Sequence, residues 1–108
     1  MAKYLITASY SAEGTKGLLK DGGSARKEAA TKLAEDLGGN LECFYFAFGS
    51  GDAYVIVDVP NEIAAAAMGL RINSTGLVSV STTALLTPEQ IDAACDKGTT
   101  LGYKAPGT

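Results

Sequence analysis

Five side chains of this sequence could bind or polarise a small molecule. They are three tyrosines, an arginine and an aspartate, namely Tyr10, Arg26, Tyr45, Asp52 and Tyr54. A guanidinium binds carboxylate, phosphate or enolate oxygens through paired N–H donors. A tyrosine brings ring area and one hydroxyl to an aromatic ligand or to a subunit interface. Each residue also has a purely structural interpretation: a solvated arginine, core or interface tyrosines, and an aspartate that stabilises a turn.

Arg26 is well placed for an anion because it directly follows a glycine-rich segment. The backbone N–H groups of Gly22, Gly23 and Ser24, together with the guanidinium, could hold an anionic or enolate-like group. The same segment is a near-miss of a phosphate-binding P-loop, because Gly23 stands where that loop needs its lysine. Nucleotide hydrolysis is therefore not expected.

The sequence contains no histidine, which removes several classes of site. Histidine is the commonest acid–base group near neutral pH, the usual zinc ligand and the proximal ligand of many haem proteins. Cys43 and Cys95 form no CxxC motif and have no histidine to activate them. We expect both to be reduced thiols that pack as small buried hydrophobes. We predict no metal, no cofactor and no identifiable catalytic residue.

Composition places the chain among single-domain proteins without a basic surface. It has 108 residues, a net charge of −3 and 46% hydrophobic residues. Nonspecific nucleic-acid binding needs a basic footprint, so no nucleic-acid partner is expected. No apolar run approaches the roughly 18 residues of a membrane helix, and the first strand is too short and polar for a secretory signal. We therefore predict a cytoplasmic protein with no membrane partner.

Hydrophobic periodicity and turn signals predict the elements that position these residues. The predicted strands are Lys3–Tyr10, Leu41–Phe48, Ala53–Val59 and Leu77–Leu86. The predicted helices are Ala25–Leu37, Glu62–Ile72 and Pro88–Lys97. Residues 11–23 are predicted to be a long connection with at most one helical turn. Residues 1–98 would form the domain and residues 99–108 a polar tail.

The ends of the predicted helices carry specific signals. Ser24 is the expected N-cap of the first helix, and Asn61 caps the second. Thr87 followed by Pro88 and Gln90 is a capping box with proline at the first helical position. The apolar face of the second helix is predicted to consist of Ile63, Ala67 and Leu70.

The second and third strands are apolar on both faces. Phe44 and Phe46 share one phase while Cys43 and Tyr45 fill the other, and the third strand repeats this pattern. In a sheet with one solvated face, alternate residues should be polar. We therefore expect helices on one face and a second copy of the chain on the other. Small hydroxyl residues of the first and last strands would join Tyr45 and Tyr54 there, either in a wet groove or in a dry interface; they are Thr7, Ser9, Ser79, Ser81 and Thr83.

The order of elements, βαββαβ with an added C-terminal helix, predicts an α+β fold. Such an order suits a four-stranded antiparallel sheet with both crossover helices on one face, the ferredoxin-like arrangement.

Several segments are typical of one family in their order and spacing, namely residues 4–14, 17–26, 38–42, 44–49, 85–89 and 103–107. Over nearly the whole chain they resemble the GYD domain family. It implies a dimeric α/β barrel, in which two ferredoxin-like sheets meet through their open faces. One position departs from the family pattern: the Gly-Tyr-Asp turn reads Ser50-Gly51-Asp52 here, so Gly51 stands in the tyrosine position.

Two functions are compatible with these observations. The first is a small homo-oligomeric binding or structural module without catalysis, whose partner is itself and which could also hold a small-molecule ligand. The second is a cofactor-independent enzyme, monooxygenase- or isomerase-like, that acts on a small aromatic or carbonyl compound. Its pocket would be closed by residues 11–23 and the C-terminal tail.

Overall fold

The computed structural model describes all 108 residues and contains four strands and four helices. The strands are β1 (Ala2–Tyr10), β2 (Asn40–Phe46), β3 (Ala53–Val59) and β4 (Val78–Leu85). The helices are α1 (Ala12–Asp21), α2 (Gly23–Asp36), α3 (Glu62–Asn73) and α4 (Pro88–Gly98). None of these helices combines the length and the apolar character that crossing a lipid bilayer requires.

The strands form one antiparallel sheet in the order β2-β3-β1-β4. This is the strand order of a ferredoxin-like fold, so the predicted α+β class is confirmed. The β2–β3 hairpin contains a bulge between Leu41 and Cys43. Because a bulge adds one residue to one strand, Leu41 and Phe44 face the same side although they are three residues apart. Simple alternation could not predict this.

The core lies between the sheet and helices α2 and α3. Tyr4 and Ile6 of β1 and the valines of β3 pack against Ala34 of α2 and Met68 of α3. Both helices therefore cover the same face of the sheet, as predicted. Cys95 is exposed and Cys43 is only half-buried, so neither is the buried hydrophobe that the sequence predicted; both are free thiols.

The segment predicted to be a long connection is mostly helix α1. Ser11 caps it by accepting a hydrogen bond from the N–H of Gly14 at 3.0 Å. Gly14 is buried against the backbone of Leu77, where a Cβ would collide with the carbonyl oxygen. The prediction of a single helical turn was wrong because the glycines that suggested a loop serve close packing instead.

Two further local predictions were wrong. Helix α2 begins at Gly23 with Gly22 as its N-cap (φ 84°) and has no side-chain cap, so Ser24 lies inside the first turn. In α3, Ile63 and Leu70 are 75% and 72% exposed, whereas Ala65 and Met68 face the core. The larger apolar residues predicted to be buried are thus on the solvent side. The Asn61 cap and the Thr87–Gln90 capping box are confirmed.

Helix α4 and the tail project away from the domain. No residue of α4 is buried, and all ten residues after it are exposed. The chain accordingly measures 57 × 34 × 22 Å, an elongated shape for its size. Four large hydrophobic side chains of this C-terminal arm (residues 86–108) are exposed, namely Leu86, Ile91, Leu101 and Tyr103.

Candidate functional site

Tyr10 lies at the centre of the candidate site, at the end of β1 where the chain enters α1. Its backbone N–H donates to Oδ2 of Asp52 over 2.7 Å. The N–H of Asp52 in turn donates to the carbonyl oxygen of Ala8 over 2.8 Å. The hairpin turn is therefore fastened to β1, and Tyr10 lies on the wall of two cavities on either side of α1.

The first, the hairpin cavity, lies between α1 and the β2–β3 hairpin and has a volume of about 440 Å³. Its apolar wall includes Leu18, Phe46 and Phe48, and Asp52 contributes a carboxylate. The Phe46 ring lies 6.5 Å from the Tyr10 ring, between centroids, in a tilted arrangement. Small-molecule sites are commonly apolar cavities of about 300–1,000 Å³ with a few polar groups, and this cavity has that character.

The second, the arginine cavity, lies between α1, α2 and the end of α3 and has a volume of about 310 Å³. Arg26 and Arg71, the only arginines of the chain, both line it. Two acidic residues, Glu13 and Asp21, also line it. The Nε of Arg26 is buried and has no hydrogen-bond partner.

Tyr45 and Tyr54 lie elsewhere, on the face of the sheet that α2 and α3 leave uncovered. They are directly paired across the β2–β3 hairpin. Tyr45 is 71% exposed and Tyr54 is half-buried. The five predicted candidates are thus divided: Tyr10, Arg26 and Asp52 surround the cavities, whereas the two strand tyrosines belong to this open face.

The open face is defined by residues that the strand register places side by side. Thr7 is paired with both Tyr54 and Ser81, and Leu5 with Ile56 and Thr83. The predicted set of small hydroxyl residues therefore does share this face with the two tyrosines. Leu5, Ile56 and Leu85 remain half-exposed within it, so the surface is a mixture of hydroxyl and apolar groups.

Gly51 is buried at the edge of the open face, against Tyr54. A Cβ there would lie 2.8 Å from Cγ2 of Thr7 and 3.0 Å from the Tyr54 hydroxyl oxygen. The ring of Tyr54 thus occupies the space beside the turn into which a side chain at position 51 would have to fit.

Lys3 marks the opposite end of the open face. Its Nζ lies 2.8 Å from a carboxylate oxygen of Glu42 and 3.0 Å from one of Asp58. Hydrogen bonds raise the pKa of Lys3 above its ordinary value; the bond to Glu42 has the larger effect and the bond to Asp58 the next. No cluster of three or more acidic or cysteine side chains lies close enough together to hold a metal ion.

Sequence reasoning missed Arg71 and the apolar wall formed by α1. A lone arginine in the last turn of a helix is usually solvated, so its type and position predict nothing about a cavity. The sequence did contain a signal for helix α1. Gly14, Leu18 and Asp21 recur at helical spacing, and all three line the arginine cavity. The C-terminal tail, which was expected to close a pocket, lines neither cavity.

Comparison with known proteins gives a family but no annotated relative. Neither the curated proteins nor the solved structures yield a match to the chain. The family model described as GYD domain matches residues 4–95. This range contains β2, β3 and β4 in full, β1 from Tyr4 onwards, both cavities and most of α4. The chain therefore belongs to the GYD domain family.

Proposed function

We propose that this protein is a homo-oligomeric module that binds a small molecule, and that a second copy covers the open face of the sheet. The observation that carries the proposal is the composition of that face. Leu5 and Ile56 at its centre are only half-buried, and Tyr45 at its side is 71% exposed. A second copy is the simplest cover for a sheet that has helices on one side only.

The C-terminal arm supports the same assembly. A helix of 11 residues in which no residue is buried is marginally stable in water. Helix α4 nevertheless begins with a complete capping box and carries Ile91 on its surface. A neighbouring subunit would supply the packing that this helix lacks within its own chain.

A pair of matched substitutions tests the assembly by light scattering at micromolar concentration. Ile56→Lys places a charge in the middle of the open face, whereas Ile63→Lys places the same charge on the exposed side of α3. We expect the wild type and Ile63→Lys to have the mass of an oligomer and Ile56→Lys to be shifted towards the monomer. A monomeric wild type overturns the assembly. If only Ile63→Lys dissociates the oligomer, the interface lies on α3, which also contradicts the proposal.

The binding half of the proposal depends on the hairpin cavity, with its aromatic wall and single carboxylate. It is tested by mass spectrometry of the native protein before and after denaturation. A stoichiometric small molecule that is released on unfolding, and lost in Phe46→Ser, supports the proposal. A native preparation without any ligand, combined with no binding of small aromatic compounds to the wild type, contradicts it.

One observation favours the enzyme as a second candidate. Only Oδ2 of Asp52 accepts a hydrogen bond within the chain, so Oδ1 could take a proton from a ligand in the hairpin cavity. A cofactor-independent enzyme for a small aromatic or carbonyl compound would use it in this way. The test is chemical conversion of the released molecule by the wild type but not by Asp52→Asn. If the molecule is recovered unchanged from both proteins, the enzyme hypothesis is contradicted and only the binding function remains.

A further inference from the structure

We propose that the arginine cavity binds the carboxylate of a small monoanionic organic acid, with the apolar part of that acid against Ile72 and Val78. This inference goes beyond the proposed function, because it concerns the arginine cavity and not the hairpin cavity. It names a second cavity, a ligand class and one residue, Arg71, that the sequence did not single out.

Neither guanidinium of the arginine cavity is satisfied by the chain. Every ion pair of the structure is made by a lysine, Lys3 or Lys16. Neither Arg26 nor Arg71 donates a side-chain hydrogen bond to another protein group, and the Nε of Arg26 is buried. A guanidinium carries five N–H donors and keeps its proton at all ordinary pH values. A buried donor without a partner is unfavourable, so an acceptor supplied by a ligand explains the arrangement.

Two carboxylates in the arginine cavity limit the charge of the ligand. Glu13 and Asp21 line the same cavity, and Glu13 is held by Lys16 at 3.2 Å rather than by an arginine. These carboxylates repel a dianion such as phosphate more strongly than a monoanion. A carboxylate also matches the guanidinium fork through two parallel hydrogen bonds. The cavity therefore favours a carboxylate over a phosphate.

The rest of the ligand has an apolar wall to contact. A small apolar void of about 50 Å³ lies between the sheet and the helices α2 and α3. Four residues line both this void and the arginine cavity, namely Tyr10, Arg26, Ile72 and Val78. An acid whose carboxylate meets Arg26 therefore has apolar side chains on the adjoining wall. A ring or a short alkyl chain fits that wall, whereas a second charged group does not.

The test is isothermal titration calorimetry of the full-length protein with benzoate, hexanoate and inorganic phosphate. We expect both carboxylates to bind, and phosphate to bind at least tenfold more weakly. Arg26→Gln should weaken carboxylate binding at least tenfold, and Arg71→Gln should weaken it less because Arg71 is exposed. Lys27→Gln is the matched control, since it removes the same charge from an exposed neighbour on the same helix. Its affinity should equal that of the wild type.

Several results would overturn the inference: no carboxylate binding at millimolar concentration, phosphate binding as tightly as benzoate, or equal losses in Arg26→Gln and Lys27→Gln. If Arg26→Gln does not fold, NMR of the wild type replaces it. Benzoate should then shift the Nε–H resonance of Arg26, and an unmoved resonance contradicts the site.

Light scattering on the same samples distinguishes this proposal from the proposed assembly, because a monomer that binds benzoate overturns only the assembly. An oligomer that binds only neutral aromatic compounds overturns only the carboxylate site.

Discussion

The backbone N–H of Tyr10 donates to the carboxylate of Asp52 over 2.7 Å, which fastens the end of β1 to the turn of the β2–β3 hairpin. The backbone of Asp52 completes the junction. Its N–H donates to Ala8 and its carbonyl oxygen accepts from the N–H of Ala47. One residue thus connects β1 to both strands of the hairpin at the wall of the hairpin cavity.

The first prediction concerns this junction. Asp52→Ala removes a charge-assisted, partly buried hydrogen bond and should lower the free energy of unfolding by about 1.5–3 kcal/mol. Asp52→Asn keeps an acceptor oxygen and should lose less than half as much. Urea denaturation measures both values. If Asp52→Ala unfolds like the wild type, the hydrogen bond contributes little and the carboxylate is retained for a ligand instead.

The second prediction compares two glycines of α1. Gly14→Ala pushes a methyl group into the carbonyl oxygen of Leu77 and should destabilise the protein by about 3 kcal/mol as α1 is displaced. Gly17→Ala meets open space in the same helix and should stabilise it by about 0.5–1 kcal/mol, because alanine is the better helix former. Thermal unfolding followed by circular dichroism distinguishes them. Equal melting temperatures would mean that α1 does not pack closely on the start of β4.

A third prediction concerns the turn of the hairpin. Gly51→Ala places a methyl group 2.8 Å from Thr7 and close to the Tyr54 ring, and should cost about 1–3 kcal/mol. The control is Gly49→Ala, where no atom lies within 4 Å of the new methyl group. Its stability should match the wild type or slightly exceed it, as judged by chemical denaturation. In the double variant Gly51→Ala with Tyr54→Ser, the new methyl group no longer meets the Tyr54 ring, so part of the lost stability should be recovered. A double variant that is no more stable than Gly51→Ala would contradict this explanation.

The fourth prediction is a pH dependence. Hydrogen bonds to Glu42 and Asp58 raise the pKa of Lys3 above 10.5 in the folded protein. A cation with a raised folded pKa stabilises the fold at every pH below its unfolded pKa and loses that effect as pH rises through the folded value. The stability difference between the wild type and Lys3→Gln should therefore be constant from about pH 6 to 9 and shrink only above the ordinary pKa of 10.5. A difference that already vanishes near neutral pH would show that the ammonium is not the stabilising group.

The fifth prediction concerns the cap of α4. Thr87 accepts from the N–H of Gln90 over 3.1 Å, and the Gln90 side chain accepts from the N–H of Thr87 over 2.8 Å. Thr87→Ala should weaken the helix by about 1 kcal/mol. Hydrogen exchange should therefore quicken in residues 88–98 and stay unchanged in β1 and β3. Lys104→Ala is the control, because Lys104 is exposed, lies beyond the helix and makes no side-chain hydrogen bond to it; it should alter neither region. Faster exchange throughout the sheet would mean that α4 contributes to the core.

Local signals predicted most of the framework correctly. The hairpin turn at residues 49–52, the Asn61 cap and the Thr87 capping box each depend on a few neighbouring residues, so the sequence contains the whole interaction. The apolar second face of the β2–β3 hairpin is likewise visible in the alternation of residue types. These features place Tyr45 and Tyr54 on the open face without any tertiary information.

The exposed side of α3 shows why periodicity alone failed elsewhere. Ile63, Ala67 and Leu70 form an apolar stripe, yet Ala65 and Met68 form another on the same helix. A helix that is apolar on several sides has no unique buried face in its sequence. The packing on the sheet decides which side is buried, and it places Ala65 and Met68 in the core.

The sequence by itself determined the family, the strands, three of the four helices and the two-sided character of the sheet, because each is written in residues close together along the chain. Only the tertiary structure decided that Gly14 of α1 packs against the backbone of Leu77, that a bulge brings Leu41 into phase with Phe44, and that Arg26 and Arg71 share one cavity. The two arginines are 45 residues apart, on different helices. Their proximity follows from how α2 and α3 pack on the sheet, and no local pattern of residues encodes that packing.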